Sequence, residues 1–583
     1  MYDLLLRNGR IYDGSGMPSF VADLAIRDGR IAAIGRINEA ATRVLDADGL
    51  AVAPGIIDFH THFDAQIWWD PLGSSSNEHG VTTVVFGNCG LTLTPCKPES
   101  RDALIGTFVR VESMPRNSLK AGIPWEWTTH GQYLDALSRR PLGLNVATLV
   151  GHCAVRQYAM GEASVEREAN DAEIAEMEEL VRQGLEAGAF GFSTNSNQSH
   201  FREDGKPVSS RCASLHEIER LCRVVGQNQR GAVQFTHGAF ATPEHVARIS
   251  QWYDTILSET RRPLIGESIR HRWSEPDLWR KQLDDVEERA RRGAASFAMT
   301  TTRLALRRWN LKDSNRLDEM PSWKRVMGMP LEARKEAFRN QETRKELAGE
   351  VAPGGPAINF SRRWDSIFVN KVCRADHKEL QGKSIEEIAG LQGKSAIDAM
   401  LDLSLDEELD TVFEDSITQG DEKAVAAIFG SPYVMLGQSD AGAHVASANP
   451  GFGFATFLLS YWVRERRIMP MEEAIRKLTF MPASIFGIHD RGLLRPGMAA
   501  DVFVFDPAAI DLEKPEPEFR DISSIAMLVI GNTSKLLGGN YSPANIERVG
   551  KKALAKWSAA VGRHRFLSCV GIATANPLKG SPN

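Results

Sequence analysis

Eight short apolar runs recur between residues 56 and 440 of this 583-residue chain, most of them followed by a helical pattern. They are 56–62 (IIDFHTH), 81–89 (VTTVVFGNC), 145–152 (NVATLVGH), 189–195 (AFGFSTN), 232–237 (AVQFTH), 263–270 (PLIGESIR), 294–302 (AASFAMTTT) and 433–440 (YVMLGQSD). Strands that are apolar almost throughout and alternate with helices belong to parallel sheets covered on both faces. Eight of them predict a (β/α)8, TIM-like barrel. Six of the eight runs end at, or within a residue of, His, Cys or Asp. Barrel active sites collect their residues from the C-terminal ends of strands, so these endings are where chemistry is expected.

The barrel is flanked by β patterns. Residues 3–11 read as a strand, and 22–31 as the start of a hairpin turning at Asp28-Gly29. A matching pattern returns at 492–505. The expected organisation is a small β-sandwich built from 1–53 and 484–545, a barrel over 54–483, and a partly disordered C-terminal extension over 546–583. The seventh and eighth runs are far apart, which places a long insertion at about 303–430. Its charged stretch 332–336 reads as solvated decoration, with part of the insertion available as a lid over the barrel mouth.

Composition is that of an ordinary soluble globular protein, with 42% apolar and 25% charged residues. A net charge of -6 gives no basic footprint for nucleic acid. No run is long and apolar enough for a membrane span, and the N-terminus lacks the layout of a signal peptide. Seven scattered cysteines point to a reducing compartment, so a cytoplasmic location is expected, with homo-oligomerisation left open.

In PGIIDFHTHFD (54–64), side chains alternate faces, so Asp58, His60 and His62 share one. Two imidazoles at a strand's end can grip one metal ion. Cys89 ends the second run, His237 the fifth and Asp440 the eighth, and His271 follows the sixth. These six are candidate ligands for Zn2+, one ion tightly and a second more loosely. His444, on the loop after the eighth run, is a candidate catalytic residue that could hydrogen-bond substrate or the tetrahedral intermediate; His200, after the fourth run, is a candidate to bind substrate, and His152 reads as a core histidine.

The motifs PGIIDFHTHFD (54–64), GVTTVVFGNCG (80–90), GQSDAGAHV (437–445) and RGLLRPGMAADVFVFD (491–506) resemble the amidohydrolase superfamily and, within it, the D-aminoacylase family, in a longer subgroup. The resemblance implies a zinc-dependent hydrolase in which a cysteine replaces the carboxylated lysine of many relatives. The fourth run, ending in Ser193-Thr194-Asn195, indeed offers no lysine. It also implies that Asp440 is the catalytic aspartate, and the expected reaction is amide hydrolysis of N-acyl amino acids of the D series. The residues 263–275 depart from the consecutive histidines of shorter family members.

A free carboxylate on such a substrate calls for an arginine fork, with Arg270 and Arg272 after the sixth run as candidates. Arg211, Arg362 and Arg363 are further ones. The partner is therefore a small molecule, expected to be anionic. Two alternatives stay open: a same-fold hydrolase or lyase acting on a cyclic amide, lactone or carbon-carbon bond, and a non-catalytic scaffold.

Overall fold

A computed structural model describes residues 1–74, 76–228, 230–237, 243–273, 275–303, 306–312, 317, 320–351, 360, 362–416, 418–443, 451–511, 527–529 and 569–572. The chain divides into two compact units. One comprises Met1–Ser268, Asp284–Thr302 and Phe429–Asn583, the other Ile269–Leu283 and Arg303–Ile428.

In the first unit, all eight apolar runs contain strands. They are Ile56–Asp58, Val81–Phe86, Asn145–Thr148 (continued by Val150–Gly151), Gly191–Asn195, Ala232–Thr236, Leu264–Ser268, Ser296–Thr300 and Val434–Leu436. Neighbours pair in parallel in chain order. The ring closes between the first and eighth strands. A parallel bridge joins Thr61 to Ala441, His62 N–H donates to the Ala441 carbonyl (2.7 Å), and Asp440 N–H to that of His60 (3.1 Å). The architecture is the (β/α)8 barrel.

The outer layer forms because each strand buries one face against an amphipathic helix. Phe192, Phe235 and Leu264 pack with Val181, Leu221 and Tyr253 from the helices Asp171–Ala187, Leu215–Gln227 and Pro243–Thr260. The first of these helices is capped at both ends. Asn170 and Glu173 form a capping box, and Gly188 closes the C-terminus at φ 118°.

Both ends of the chain feed one eight-stranded sheet. Tyr2–Ile11, Phe20–Arg27 and Arg30–Gly35 form an antiparallel meander, and the Asp28-Gly29 turn has φ 51° and 70°. Two positive φ values are what a two-residue hairpin needs to match strand twist. Val502–Phe505 pairs antiparallel with Ala51–Pro54, and Cys569–Ile572 adds outside it. The stretch expected as an extension thus contributes a strand. Leu4, Leu6, Leu24, Ile31, Val52, Val502 and Val504 form the sheet's core.

The sheet is tied to the barrel by a buried charge network. Arg491 Nε donates to Asp501 Oδ2 (2.7 Å), which also accepts from Asn145 Nδ2 (2.9 Å) at the start of the third barrel strand. Removing one partner of such a pair costs on the order of 3–5 kcal/mol, because the other charge is left buried.

The second unit corrects the expectation of a solvated decoration. Its antiparallel strands Leu306–Trp309, Val412–Ser416 and Ile367–Lys371 and its helices enclose a core of Trp309, Leu311, Trp323, Phe338, Leu401 and Phe413. The charged stretch 332–336 lies on the helix Leu331–Arg339, and only part of it faces water. Arg334 is buried and donates to the carbonyls of Leu311 and Met329 (3.0 Å each), as well as to those of Lys312 and Met327. A guanidinium's five donors in a fixed fork can close several loop carbonyls at once.

Candidate metal centre

The first barrel strand ends at Asp58, and the next residues carry the centre. His60, His62 and Cys89 are buried, and their ligand atoms lie within 4.8 Å of one another. Cys89 Sγ is 3.5 Å from His60 Nε2. Asp440 joins them: its Oδ1 is 3.2 Å from His60 Nε2 and 3.8 Å from His62 Nε2, with its side chain 35% exposed. Asp58 sits behind, fully buried, accepting from Ser439 Oγ (2.6 Å).

Two of these residues are held in the left-handed region, Cys89 at φ 56° and Asp440 at φ 53°. For non-glycine residues that conformation is uncommon and persists where the surroundings enforce it. At Cys89 the enforcement is visible. Its N–H donates to Gln234 Oε1 (2.9 Å), and its carbonyl accepts from Asn195 Nδ2. Ser193 Oγ accepts from Gly90 N–H (3.0 Å) and donates to the Gly87 carbonyl. Gly87 is at φ 87°, and a Cβ there would lie 2.6 Å from the Leu149 carbonyl oxygen. The fourth strand, with no lysine to offer, instead supports the cysteine loop through Ser193 and Asn195.

On the opposite side, Gly442 (φ 90°) lets the loop after the eighth strand approach His62, whose carbonyl carbon a Cβ would meet at 2.7 Å. Sequence reasoning missed Glu112. It follows the helix Arg101–Val111, is buried, and brings Oε1 to 3.6 Å from His62 Nε2.

The electrostatics fit a cation. Burial pushes the Cys89 thiol well up, and the Glu112 and Asp440 carboxylates push it further. Burial likewise raises Glu112 far above the usual carboxylate range, with Asp440 and Asp64 adding to the effect. Asp64 is pushed up to about 8 by burial. A bound divalent ion inverts this logic by making the anionic forms favourable. Two imidazoles and a thiol suit zinc.

The remaining candidates fall as follows. His237 is buried just past the fifth strand, its Nδ1 sharing a 3.1 Å hydrogen bond with the Tyr253 hydroxyl. His271 lies in the second unit. Its N–H donates to Gln419 Oε1 (3.2 Å), and its ring packs edge-on to Trp273. Arg270 and Arg272 belong to the same unit, and Arg272 pairs with Glu275 at 3.5 Å. His200 sits on the loop after the fourth strand, its carbonyl accepting from Arg211 Nη1 (2.9 Å). Arg363 pairs with Asp365. His444 lies outside the described residues. His152 is a core histidine, bonded to Thr194 Oγ1 and Glu217 Oε1 at 2.7 Å each, with Arg156 completing the buried group.

The amidohydrolase family model matches residues 43–250 and 359–531. The chain belongs to the amidohydrolase family. Among family relatives, a D-aminoacylase of Alcaligenes xylosoxydans xylosoxydans is 30% identical over 87% of this chain and 89% of its own. An N-acyl-D-aspartate deacylase of the same organism is also 30% identical, over 87% and 86%. A crystal structure of an N-acyl-D-glutamate deacylase from Bordetella bronchiseptica, complexed with zinc and a phosphonate that mimics the tetrahedral intermediate, is 26% identical. It matches 88% of this chain and 91% of that one with a TM-score of 0.59. This family member therefore shares nearly its whole length with deacylases of N-acyl-D-amino acids.

Proposed function

We propose that this amidohydrolase is a zinc-dependent deacylase that cleaves the amide bond of N-acyl amino acids, with preference for D enantiomers. The observation that carries the reading is the convergence of His60, His62, Cys89 and Asp440 at the C-terminal mouth of the barrel. The deacylase relatives support the choice of bond and of enantiomer.

His60, His62 and Cys89 would hold the metal, and His237, hydrogen-bonded to Tyr253, is proposed as a further ligand. Zinc bound there supplies Lewis acidity, lowering the pKa of a water to about 7 and polarising a carbonyl. Asp440 does the proton work. Its carboxylate stands beside both imidazoles yet is partly exposed, so it can reach water and substrate. It takes the proton of the attacking water as the carbon-oxygen bond forms. It returns that proton to the amide nitrogen as the carbon-nitrogen bond breaks, since an amine leaves only when protonated. The Asp440 N–H to His60 carbonyl bond fixes this loop against the first strand, so base and metal ligands keep one geometry.

The substrate is a small molecule, and a free carboxylate on it makes it anionic. Purified zinc-loaded protein should release amino acid from N-acyl-D-amino acids faster than from the L enantiomers, and methyl esterification should weaken binding. Equal rates on both enantiomers, with unchanged affinity for the ester, would shift the assignment to neutral amides or lactones on the same centre.

A further inference from the structure

Glu112 enters the centre from an element that carries none of the strand-end ligands. The helix Arg101–Val111 buries Leu104, Ile105 and Phe108, and the Glu112 N–H closes its last turn on the Phe108 carbonyl (3.1 Å). Ser113, at φ 54°, then turns the chain away. The side chain is left buried, with Oε1 3.6 Å from His62 Nε2. That same nitrogen lies 3.8 Å from Asp440 Oδ1, so it faces the shared interior of the centre and not its outer wall. Ligands on a tetrahedral zinc with bonds of about 2.0–2.2 Å stand about 3.3–3.6 Å apart. The Glu112–His62 separation fits that edge.

We propose that Glu112 is a carboxylate ligand of the metal ion held at His62, a donor outside the histidine, cysteine and aspartate set at the strand ends. The proposal rests on the reading of His60, His62 and Cys89 as a metal centre. It makes the cation on the His62 side dependent on a helix and not only on the barrel.

The test uses full-length protein with Co2+ as a spectroscopic probe and Zn2+ in chelator competition. Wild type, Glu112→Gln and Glu112→Asp are compared, with circular dichroism melting to check folding. Losing partners that only orient a ligand typically costs 10–100-fold in metal affinity. For Glu112→Gln we therefore expect a loss of about that size or more, with altered visible d–d bands. The sulfur-to-cobalt charge-transfer band of Cys89 should persist. Wild-type affinity and unchanged d–d bands in Glu112→Gln would overturn the assignment. Should that variant fail to fold, Glu112→Asp, which retracts the carboxylate by one methylene, must still change the d–d bands, and unchanged bands there overturn it equally. A wild-type protein that shows no sulfur-to-cobalt band would instead refute the metal centre itself, and the proposal with it.

Discussion

The side-chain amide of Asn195, on the fourth barrel strand, donates to the backbone carbonyl of Cys89. The bond helps hold Cys89 in its left-handed backbone conformation, and it comes from a different barrel strand. The thiol's position is thus set by two strands that do not supply it, since Gln234 of the fifth strand takes the Cys89 N–H.

Removing this support should therefore weaken metal binding with every ligand in place. For Asn195→Ala and Gln234→Ala we expect about 10–100-fold lower zinc affinity, the range typical of groups that orient ligands. Chelator competition on folded protein measures it. Wild-type affinity in both variants would mean that the loop holds its shape unaided.

Cys89→Ala should lose most bound zinc while the barrel still folds, because the thiol is one of three converging donors and its own packing volume is small. Metal analysis alongside circular dichroism decides this. A variant with full zinc content and activity would show Cys89 to be only a packed apolar group.

Asp440→Asn should keep a substantial fraction of its metal yet lose on the order of 10²–10⁴ in turnover, the range for a general acid–base group. Steady-state rates, normalised to bound zinc, test it. Near-normal turnover would remove Asp440 from the mechanism.

His130 gives a pH signature independent of the centre. It is buried, its Nε2 2.9 Å from Thr148 Oγ1 on the third strand, and burial lowers its pKa to about 4. An unfolded histidine titrates near 6.5. Between those values the unfolded chain binds the extra proton, so stability falls as pH drops from about 6.5 to 4 and is flat above. The gap corresponds to roughly 3 kcal/mol. Denaturant titrations from pH 4 to 7 should show this loss in the wild type and its reduction in His130→Gln. Parallel profiles would assign the acid sensitivity to other groups.

Much of this was legible in the sequence, for a physical reason. Buried parallel strands write themselves as apolar runs, and a barrel places its chemistry where those runs end, so His60, His62, Cys89 and Asp440 were marked by position alone. Gln234 also carried a signal, a polar side chain inside the apolar run AVQFT. Glu112 carried none. It reaches the centre only through the packing of the helix before it, which no local pattern encodes. The insertion misled because exposed and buried charges look alike in sequence, and Arg334 is recognisable as a core clamp only once the loop carbonyls around it are placed. Arg270, His271 and Arg272 follow the sixth strand directly and belong to the second compact unit.

The pairing of Ala51–Pro54 with Val502–Phe505 also sets a timetable for the molecule's birth. Roughly 450 residues separate these partners, which at 5–20 residues per second is about 20–90 s of translation. Throughout that interval the N-terminal strands carry an open edge on the ribosome, and the first barrel strand waits almost as long for Ala441. Unpaired edges of this kind recruit wrong partners. Nascent chains stalled before residue 502 should consequently be the aggregation-prone species, and a trigger for chaperone capture that the finished enzyme no longer presents.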